Sequence, residues 1–360
     1  MPNSYNSTGY KMIDSIKIKN FRCFENAELK KCNRVNIVVG ENGVGKTALL
    51  EAIFLTLASS PEIALRFRVF RGMESNIVSG APKGIEQALW SDLFYRYDDE
   101  KVISVDLQGS GPEARSLNIY SGDESHTFLK SKEGEFSEER TSGIKFRWKD
   151  HTGKERISEP TITDKGIEMK GTGEDLPNFF YFASSYVVNS REIAERFSIL
   201  SRANKEKEFI EILTKEFSWI KNLSIQSVGG IPVIYADLEG ITEKIPLNNV
   251  SGGINRMVGI ALTIASRPKS VVVVDEIENG IYYKHNKAWW RNLLFFAKKY
   301  DCQLFLSTHS QEWLEALVEI TDEKADDFSL CRIERTSSGP DIKQFNGKQM
   351  SAAIKVGEVR

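Results

Sequence analysis

Hydrophobic positions along the chain follow three periods, and each predicts a different kind of element. Three short runs are apolar at nearly every position: Arg34–Val39 (RVNIVV), Val271–Val274 and Gln303–Ser307 (QLFLS). Runs of that kind predict strands buried on both faces, as in a parallel sheet. Asn178–Val188 (NFFYFASSYVV) reads as a further buried strand. Met12–Lys19 (MIDSIKIK) alternates instead, and with a short strand near Ala27–Leu29 it predicts a hairpin. Between Lys101 and Lys170 the runs KVISVDL, RSLNIYS, HTFLK and GIKFRWK alternate between Gly, Ser and Asp clusters, the signature of an antiparallel β subdomain.

The third period is helical. It runs through Ala48–Leu57, through Gly84–Tyr97 with Ala88, Leu89, Leu93 and Phe94 toward a core, and through Gln311–Ile320. Arg191–Leu223 reads as mostly helical, with Ile193, Phe197 and Leu200, then Phe209, Leu213, Phe217 and Ile220, on either side of a solvated NKEKE turn. A helix after Ser251 carries Ile254, Met257, Val258, Ala261 and Ala265 on one face and stops before Pro268. Leu223–Pro246 gives short strands; Ser329–Arg335 and Asp341–Phe345 give a terminal hairpin about Ser337–Pro340, followed by a helix. Buried strands interleaved with helices define an α/β class with a mixed central sheet.

Composition narrows the picture little. At 360 residues the chain exceeds one ordinary core, so one large domain with an insertion or two domains are expected. With 41% hydrophobic and 27% charged residues, and no apolar run near a membrane span, the expectation is a cytoplasmic protein without membrane contact. Residues 1–10 are polar and lack the basic and apolar regions of a secretion signal, so they read as a flexible tail. Cys23, Cys32, Cys302 and Cys331 form no CxxC pair and are expected as reduced thiols. A net charge of −2 gives no basic footprint and leaves nucleic-acid binding open. His126 and His151 have no partner of ligand type at metal spacing and read as surface residues.

The chemistry concentrates in four places. Gly40, Glu41, Asn42, Gly43, Val44, Gly45, Lys46 and Thr47 (GENGVGKT) match the phosphate loop GxxxxGK[ST]. A chance match is expected in roughly one or two chains per hundred of this length. Here, however, an apolar strand feeds the loop and an apolar helix follows it. Backbone N–H groups of such a turn can wrap phosphate oxygens; Lys46 would then reach the β and γ phosphates of ATP and the Thr47 hydroxyl would ligate Mg2+.

Ser251, Gly252 and Gly253 open a helix whose N-terminus suits a phosphate; the alternative is a plain N-cap by Ser251. Asp275 and Glu276 end the VVVV run, where an apolar strand would not carry two acids unless they met a cation or a water. His309 follows the third buried run in THS.

These four stretches, in this order, are the set of the ABC-type ATPases. The NFR plus aromatic at Asn20–Phe24, some twenty residues before the loop, resembles the RecF, SMC and OLD (overcoming lysogenization defect) branch of that family. The resemblance implies a P-loop NTPase fold of ABC type with an inserted antiparallel β subdomain and a short helical arm. The expected division is a tail (1–10), an N-terminal ATPase lobe (11–60), the insertion and arm (61–224), a C-terminal ATPase lobe (225–335) and a terminal hairpin and helix (336–360). No long heptad run or zinc hook occupies the arm, and no TOPRIM-like acidic cluster follows the ATPase.

The resemblance also implies roles. Thr47 and Asp275 would hold Mg2+, Glu276 would position or deprotonate the attacking water, and His309 would contact the γ-phosphate. Glu278 is the alternative base. Arg22 is a candidate nucleotide contact; the other reading is a surface arginine ending a strand. Gln87 is the one counterpart for a Mg2+-bridging glutamine, and Tyr282 stands where relatives often carry histidine. Two subunits would sandwich ATP between Lys46 of one and Ser251–Gly253 of the other, as a homodimer or higher oligomer. The expected setting is a sensor ATPase in prokaryotic antiphage defence or a toxin-like system, with a separate nuclease or toxin as effector. The alternatives are a RecF-like repair protein, with DNA as a partner, and a transporter ATPase subunit. The last is disfavoured by the long stretch between Lys46 and Ser251.

Overall fold

The computed structural model describes residues 12–70, 90–121, 126–130, 136–141, 143–163, 166–168, 176–185, 189–321, 325–337 and 339–357. The chain begins with β1 (Ile13–Phe21), β2 (Phe24–Leu29) and β3 (Val35–Val39), then α1 (Lys46–Ala58) and α2 (Glu62–Phe70). Strands β4 (Ile103–Gly109), β5 (Arg115–Ser121), β6 (His126–Lys130), β7 (Phe136–Thr141) and β8 (Ile144–Lys149) follow. Next come β9 (Glu155–Ser158), β10 (Thr161–Thr163), β11 (Gly166–Glu168) and β12 (Asn178–Phe182). Helices α3 (Ser190–Arg202) and α4 (Glu206–Glu216) precede β13 (Ile220–Val228), β14 (Ile231–Leu238) and β15 (Ile245–Pro246). The remainder is α5 (Leu247–Val250), α6 (Gly252–Ser266), β16 (Ser270–Val274), α7 (Asn286–Lys299), β17 (Gln303–Ser307), α8 (Gln311–Thr321), β18 (Phe328–Thr336), β19 (Gly339–Asn346) and α9 (Gly347–Lys355).

Two compact units form: Met1–Cys32, Glu51–Pro177 and Arg335–Ile342 make one, and Asn33–Leu50, Asn178–Glu334 and Lys343–Arg360 the other. The division is not the linear one expected from the sequence. The N-terminal hairpin belongs with the antiparallel segment because β1 pairs with β4, from Ile16↔Leu107 to Lys19↔Ser104.

In the first unit six strands form an antiparallel sheet in the order β2-β1-β4-β5-β8-β9, and β11-β10-β7-β6 form a second sheet. The alternation read from the sequence is the burial pattern: Ile16, Ile18, Val105, Leu107, Leu117, Ile119, Phe146 and Trp148 share the buried face. The helix expected over Gly84–Tyr97 reaches Trp90, which is helical, and does not continue beyond it. Residues 84–89 lie outside the described residues. Ser91–Leu93 and Tyr95–Tyr97 are single 3-10 turns, and Phe94 bridges Phe21 of β1. Left-handed φ at Arg96 and Tyr97 (55° and 61°) breaks any helix there.

The second unit is built on the sheet β12-β16-β17-β3-β18-β19. Its first five strands run parallel, in registers such as Val274↔Leu306 and Ser307↔Val38. Every residue of β3, β16 and β17 is buried. At about 1.5–3 kcal/mol for each fully buried valine, the VVVV run alone anchors the centre of the sheet.

β12 is shorter than the expected Asn178–Val188, ending at Phe182. The helical stretch ends sooner than Leu223, since β13 starts at Ile220. The two arm helices have 13 and 11 residues, and Ile193, Phe197, Leu200, Phe209 and Leu213 enter the core of this unit. A buried Arg196 ties α3 to α6 through Thr263 Oγ1 at 2.5 Å. Three strands, β13-β14-β15, make a separate small sheet.

Candidate functional site

The neighbours β16, β17 and β3 run parallel, so their carboxyl ends come out side by side. That edge is where open α/β sheets place ligands. From β3 the chain enters the phosphate loop. Gly40, Gly43 and Gly45 have φ of 142°, 75° and 118°, and a Cβ on Gly40 would stand 2.4 Å from the carbonyl oxygen of Ile333. Only glycine satisfies both conditions there. Glu41, Asn42 and Gly43 are exposed, while Lys46 is buried.

Lys46 folds back over the loop. Its Nζ donates to the carbonyls of Gly40 (2.7 Å) and Glu41 (2.8 Å). Burial lowers its pKa, against the opposing fields of Asp275, Glu276 and Glu278. The ammonium is thus held at the loop mouth by neutral acceptors that a phosphate could replace.

Asp275 and Glu276 stand immediately after β16. Thr47 Oγ1 donates to Asp275 Oδ2 at 2.9 Å and Ser307 Oγ donates to Asp275 Oδ1 at 2.5 Å. Burial raises the pKa of Asp275; the hydrogen bonds from Ser307 and Thr47 oppose this. A hydroxyl and one carboxylate at this separation fit Mg2+, which binds through one or two carboxylates plus substrate phosphates. No group of three or more His, Cys, Asp or Glu able to hold a metal occurs among the described residues.

Glu276 adopts φ 50°. Its N–H donates to Ser307 Oγ at 2.8 Å, and Asn279 Nδ2 donates to its Oε2 at 2.8 Å. Ser307 therefore ties both acids to the end of β17. Sequence reasoning missed Ser307 and Asn279. Their signals were a lone hydroxyl closing an apolar strand and an amide three residues past Glu276.

His309 lies two residues beyond β17 and is half exposed. Its Nδ1 is 3.0 Å from Glu278 Oε1, and its backbone N–H donates to the same oxygen at 2.9 Å. Glu278 is thus engaged with His309.

Ser251, Gly252 and Gly253 begin α6, as the sequence predicts, but Ser251 makes no side-chain cap. Ser251 stands at the N-cap position, where its carbonyl accepts from Asn255 N–H at 2.9 Å while its hydroxyl bonds to no helix N–H. A Cβ on Gly252 would meet nothing within 4 Å, whereas one on Gly253 would lie 1.8 Å from the Gly280 carbonyl oxygen. Arg256, one turn on, is buried and donates to the carbonyls of Ala183 (2.9 Å) and Asp275 (2.7 Å). The helix that starts with SGG is thereby bonded to the backbone of the Mg2+ candidate, another link that the sequence reading missed.

Arg22 is not a surface residue. In the first unit its side chain is 8% exposed, with Nε 2.8 Å from Glu51 and Nη1 3.1 Å from Asp92. Its φ of 50° and a backbone N–H bond to Leu93 O (2.7 Å) fix it in the β1–β2 turn. Tyr282 is exposed, next to Tyr283. Gln87 lies outside the described residues, as do residues 1–10 and the side chain of His126; His151 is exposed. All four cysteines are thiols. No helix among the described residues is long and apolar enough to cross a membrane.

A phosphate loop, paired acids after a parallel strand and a histidine after the next define a P-loop ATPase of ABC type. The chain belongs to the AAA domain family, whose model matches residues 15–245. The ATP/GTP phosphatase of Helicobacter pylori is 22% identical over 337 residues, covering 87% of this chain and 89% of that protein. The Rad50 DNA double-strand break repair ATPase of Methanopyrus kandleri is 34% identical over 113 residues, 31% of this chain and 12% of its own. The replication and repair protein RecF of Bacillus velezensis is 45% identical over 49 residues, 13% of each chain. The chain thus spans most of the first relative but only a small part of the other two.

Among solved structures, an Smc head bound to the C-winged helix domain of ScpA aligns with a TM-score of 0.50 and 14% identity, covering 94% of this chain and 99% of that one. That likeness is one of fold. With the family and these relatives, the chain is an ATPase of the SMC, RecF and Rad50 type.

Proposed function

We propose that this ATPase completes its catalytic site only when two subunits face each other across ATP. The observation that carries the proposal is the start of α6. The Ser251 hydroxyl does not cap its own helix, and the space beside Gly252 is open, so an N-terminus suited to phosphate is left available to a partner's nucleotide. Asn42, Gly43 and Gly45 with the loop amides would cradle the phosphates of one subunit's ATP, and Lys46 would neutralise the terminal ones. Ser251, Gly252 and Gly253 of the other subunit would close over the γ-phosphate.

Within one subunit Thr47 and Asp275 would hold Mg2+, which when bound supplies charge neutralisation between phosphates. Glu276, held by Ser307 and Asn279, would orient and deprotonate the attacking water, and His309 would donate to the γ-phosphate. Arg22, its guanidinium paired with Glu51 and Asp92 within the first unit, takes no part in this proposal.

In its cell this would be a cytoplasmic sensor ATPase of a prokaryotic antiphage defence or toxin-like system, acting on a separate effector. The short helices α3 and α4, packed into a core rather than drawn out as a coiled coil, support that setting over a chromosome-spanning role. The second reading is a RecF-like repair ATPase, which the local match to RecF favours. It requires duplex DNA to bind in the presence of ATP and to stimulate turnover.

The test is the mass in solution of Glu276→Gln protein, co-expressed with its genomic neighbours, with and without ATP and Mg2+. An ATP-dependent dimer or larger assembly supports the shared site, and a co-purifying neighbour identifies the effector. A monomer indifferent to ATP overturns the proposal.

A further inference from the structure

We infer that Glu278 is the positioning residue for His309, and not a second candidate base. The inference rests on the reading of His309 as the group that faces the γ-phosphate. One oxygen, Glu278 Oε1, accepts from both the backbone N–H (2.9 Å) and Nδ1 (3.0 Å) of His309, so loop and ring are held by the same atom. An ionised carboxylate only accepts hydrogen bonds, so Nδ1 carries the proton of this contact. The ring is then fixed in orientation, and Nε2, on its opposite edge, becomes the nitrogen offered to a ligand.

Glu278 itself is 12% exposed, and the other oxygen, Oε2, is buried without a hydrogen-bond partner. It is therefore poorly placed to take a proton from solvent-borne water. Glu276 has separate anchors in Ser307 and Asn279. The DEIENG stretch thus splits its acids between tasks: Asp275 toward Thr47, Glu276 toward water, and Glu278 toward the histidine of the next strand. The loop between β16 and α7 passes across the end of β17, with Ile277 N–H donating to Ser307 O at 3.1 Å, and that crossing brings Glu278 beside His309.

The experiment combines a spectroscopic reading with a mutant cycle. The chain has four histidines, so the 15N signals of the His309 ring can be assigned by loss in His309→Ala. Protein labelled with 15N should show protonated Nδ1 in the wild type, a shift toward protonated Nε2 in Glu278→Ala, and retention of protonated Nδ1 in Glu278→Gln, whose amide oxygen still accepts. Glu278→Ala should lower kcat about 10- to 100-fold with KM for ATP little changed, as for an interaction made mainly in the transition state, and Glu278→Gln should recover most of it. In the His309→Ala background Glu278→Ala should cost nothing further.

Protonated Nε2 in the resting wild type, or an undiminished cost of Glu278→Ala without His309, overturns the inference. If His309→Ala leaves turnover unchanged while the Glu278 variants still shift the tautomer, the phosphate-facing reading of His309 fails and the positioning relation stands.

Discussion

The carbonyl oxygen of Gly280 occupies the place where a Cβ on Gly253 would have to sit, 1.8 Å from that position. The second glycine of the SGG stretch is therefore required by this chain's own packing, before any partner is considered. Gly252, with open space on its Cβ side, carries no such constraint.

The two glycines should separate when mutated. Gly253→Ala is expected to destabilise the protein by about 1–3 kcal/mol through overpacking, seen as a lower melting temperature with or without ATP. Gly252→Asp should melt like the wild type without nucleotide and fail to hydrolyse ATP, because its carboxylate would face a partner's γ-phosphate. Wild-type turnover in Gly252→Asp would count against the shared site.

Glu276→Gln should keep ATP binding within a few-fold of wild type and lower kcat by about 100- to 10,000-fold, since the amide is isosteric but a poor base. Titration with a fluorescent ATP analogue, set beside phosphate release, checks both halves. Normal phosphate release would remove Glu276 from the reaction.

Ser307→Ala takes a hydroxyl from between Asp275 and the backbone of Glu276. It should cost about 1–3 kcal/mol, because a buried carboxylate loses a donor. Turnover should also fall, although Ser307 lies too deep to touch substrate. Denaturant unfolding and a kcat measurement on the same preparation would show the two effects together.

Lys46→Ala should leave the resting fold near wild-type stability, because Lys46 bonds only to the carbonyls of its own loop, Gly40 O and Glu41 O. ATP affinity should fall about 100-fold or more with the loss of charge-assisted bonds to phosphate. Calorimetric titration measures the affinity and a melting curve the stability.

Glu113 belongs to the first unit, where burial pushes its carboxyl from the ordinary 4.5 up to about 7, against the opposing influence of Arg115. Between those values the folded state binds more protons than the unfolded one, so stability falls as pH rises from about 4.5 to 7 and stays lower above. The loss amounts to at most about 3.5 kcal/mol at roughly 1.4 kcal/mol per pH unit. Glu113→Gln should flatten that part of the profile and raise the melting temperature at pH 8. An unchanged slope in the variant would show that other groups carry the dependence.

Local chemistry was legible without coordinates wherever it was contiguous. The strand, glycine turn, lysine and threonine of Val35–Thr47 lie within one short segment, and backbone sterics alone tie GENGVGKT to its phosphate-ready shape. The VVVV and QLFLS runs read as buried strands, and the alternation of β1, β4, β5 and β8 as a half-buried sheet, and both are found. Those readings follow from period and burial, which are properties of neighbouring residues.

What tertiary structure decided is everything that joins distant residues. That the N-terminal hairpin extends the β4–β5 sheet depends on β1 meeting β4, about ninety residues away in register, which no local pattern specifies. Past Trp90 the expected helix gives way to turns, with left-handed φ at Arg96 and Tyr97 and a bridge from Phe94 to Phe21 that local spacing could not announce. Ser307 became the tie between two acids, and Glu278 the partner of His309, only because parallel register sets the end of β17 against the end of β16. Residue types announce which chemistry a chain is equipped for. Strand pairing across long loops determines which atoms come within hydrogen-bonding distance to perform it.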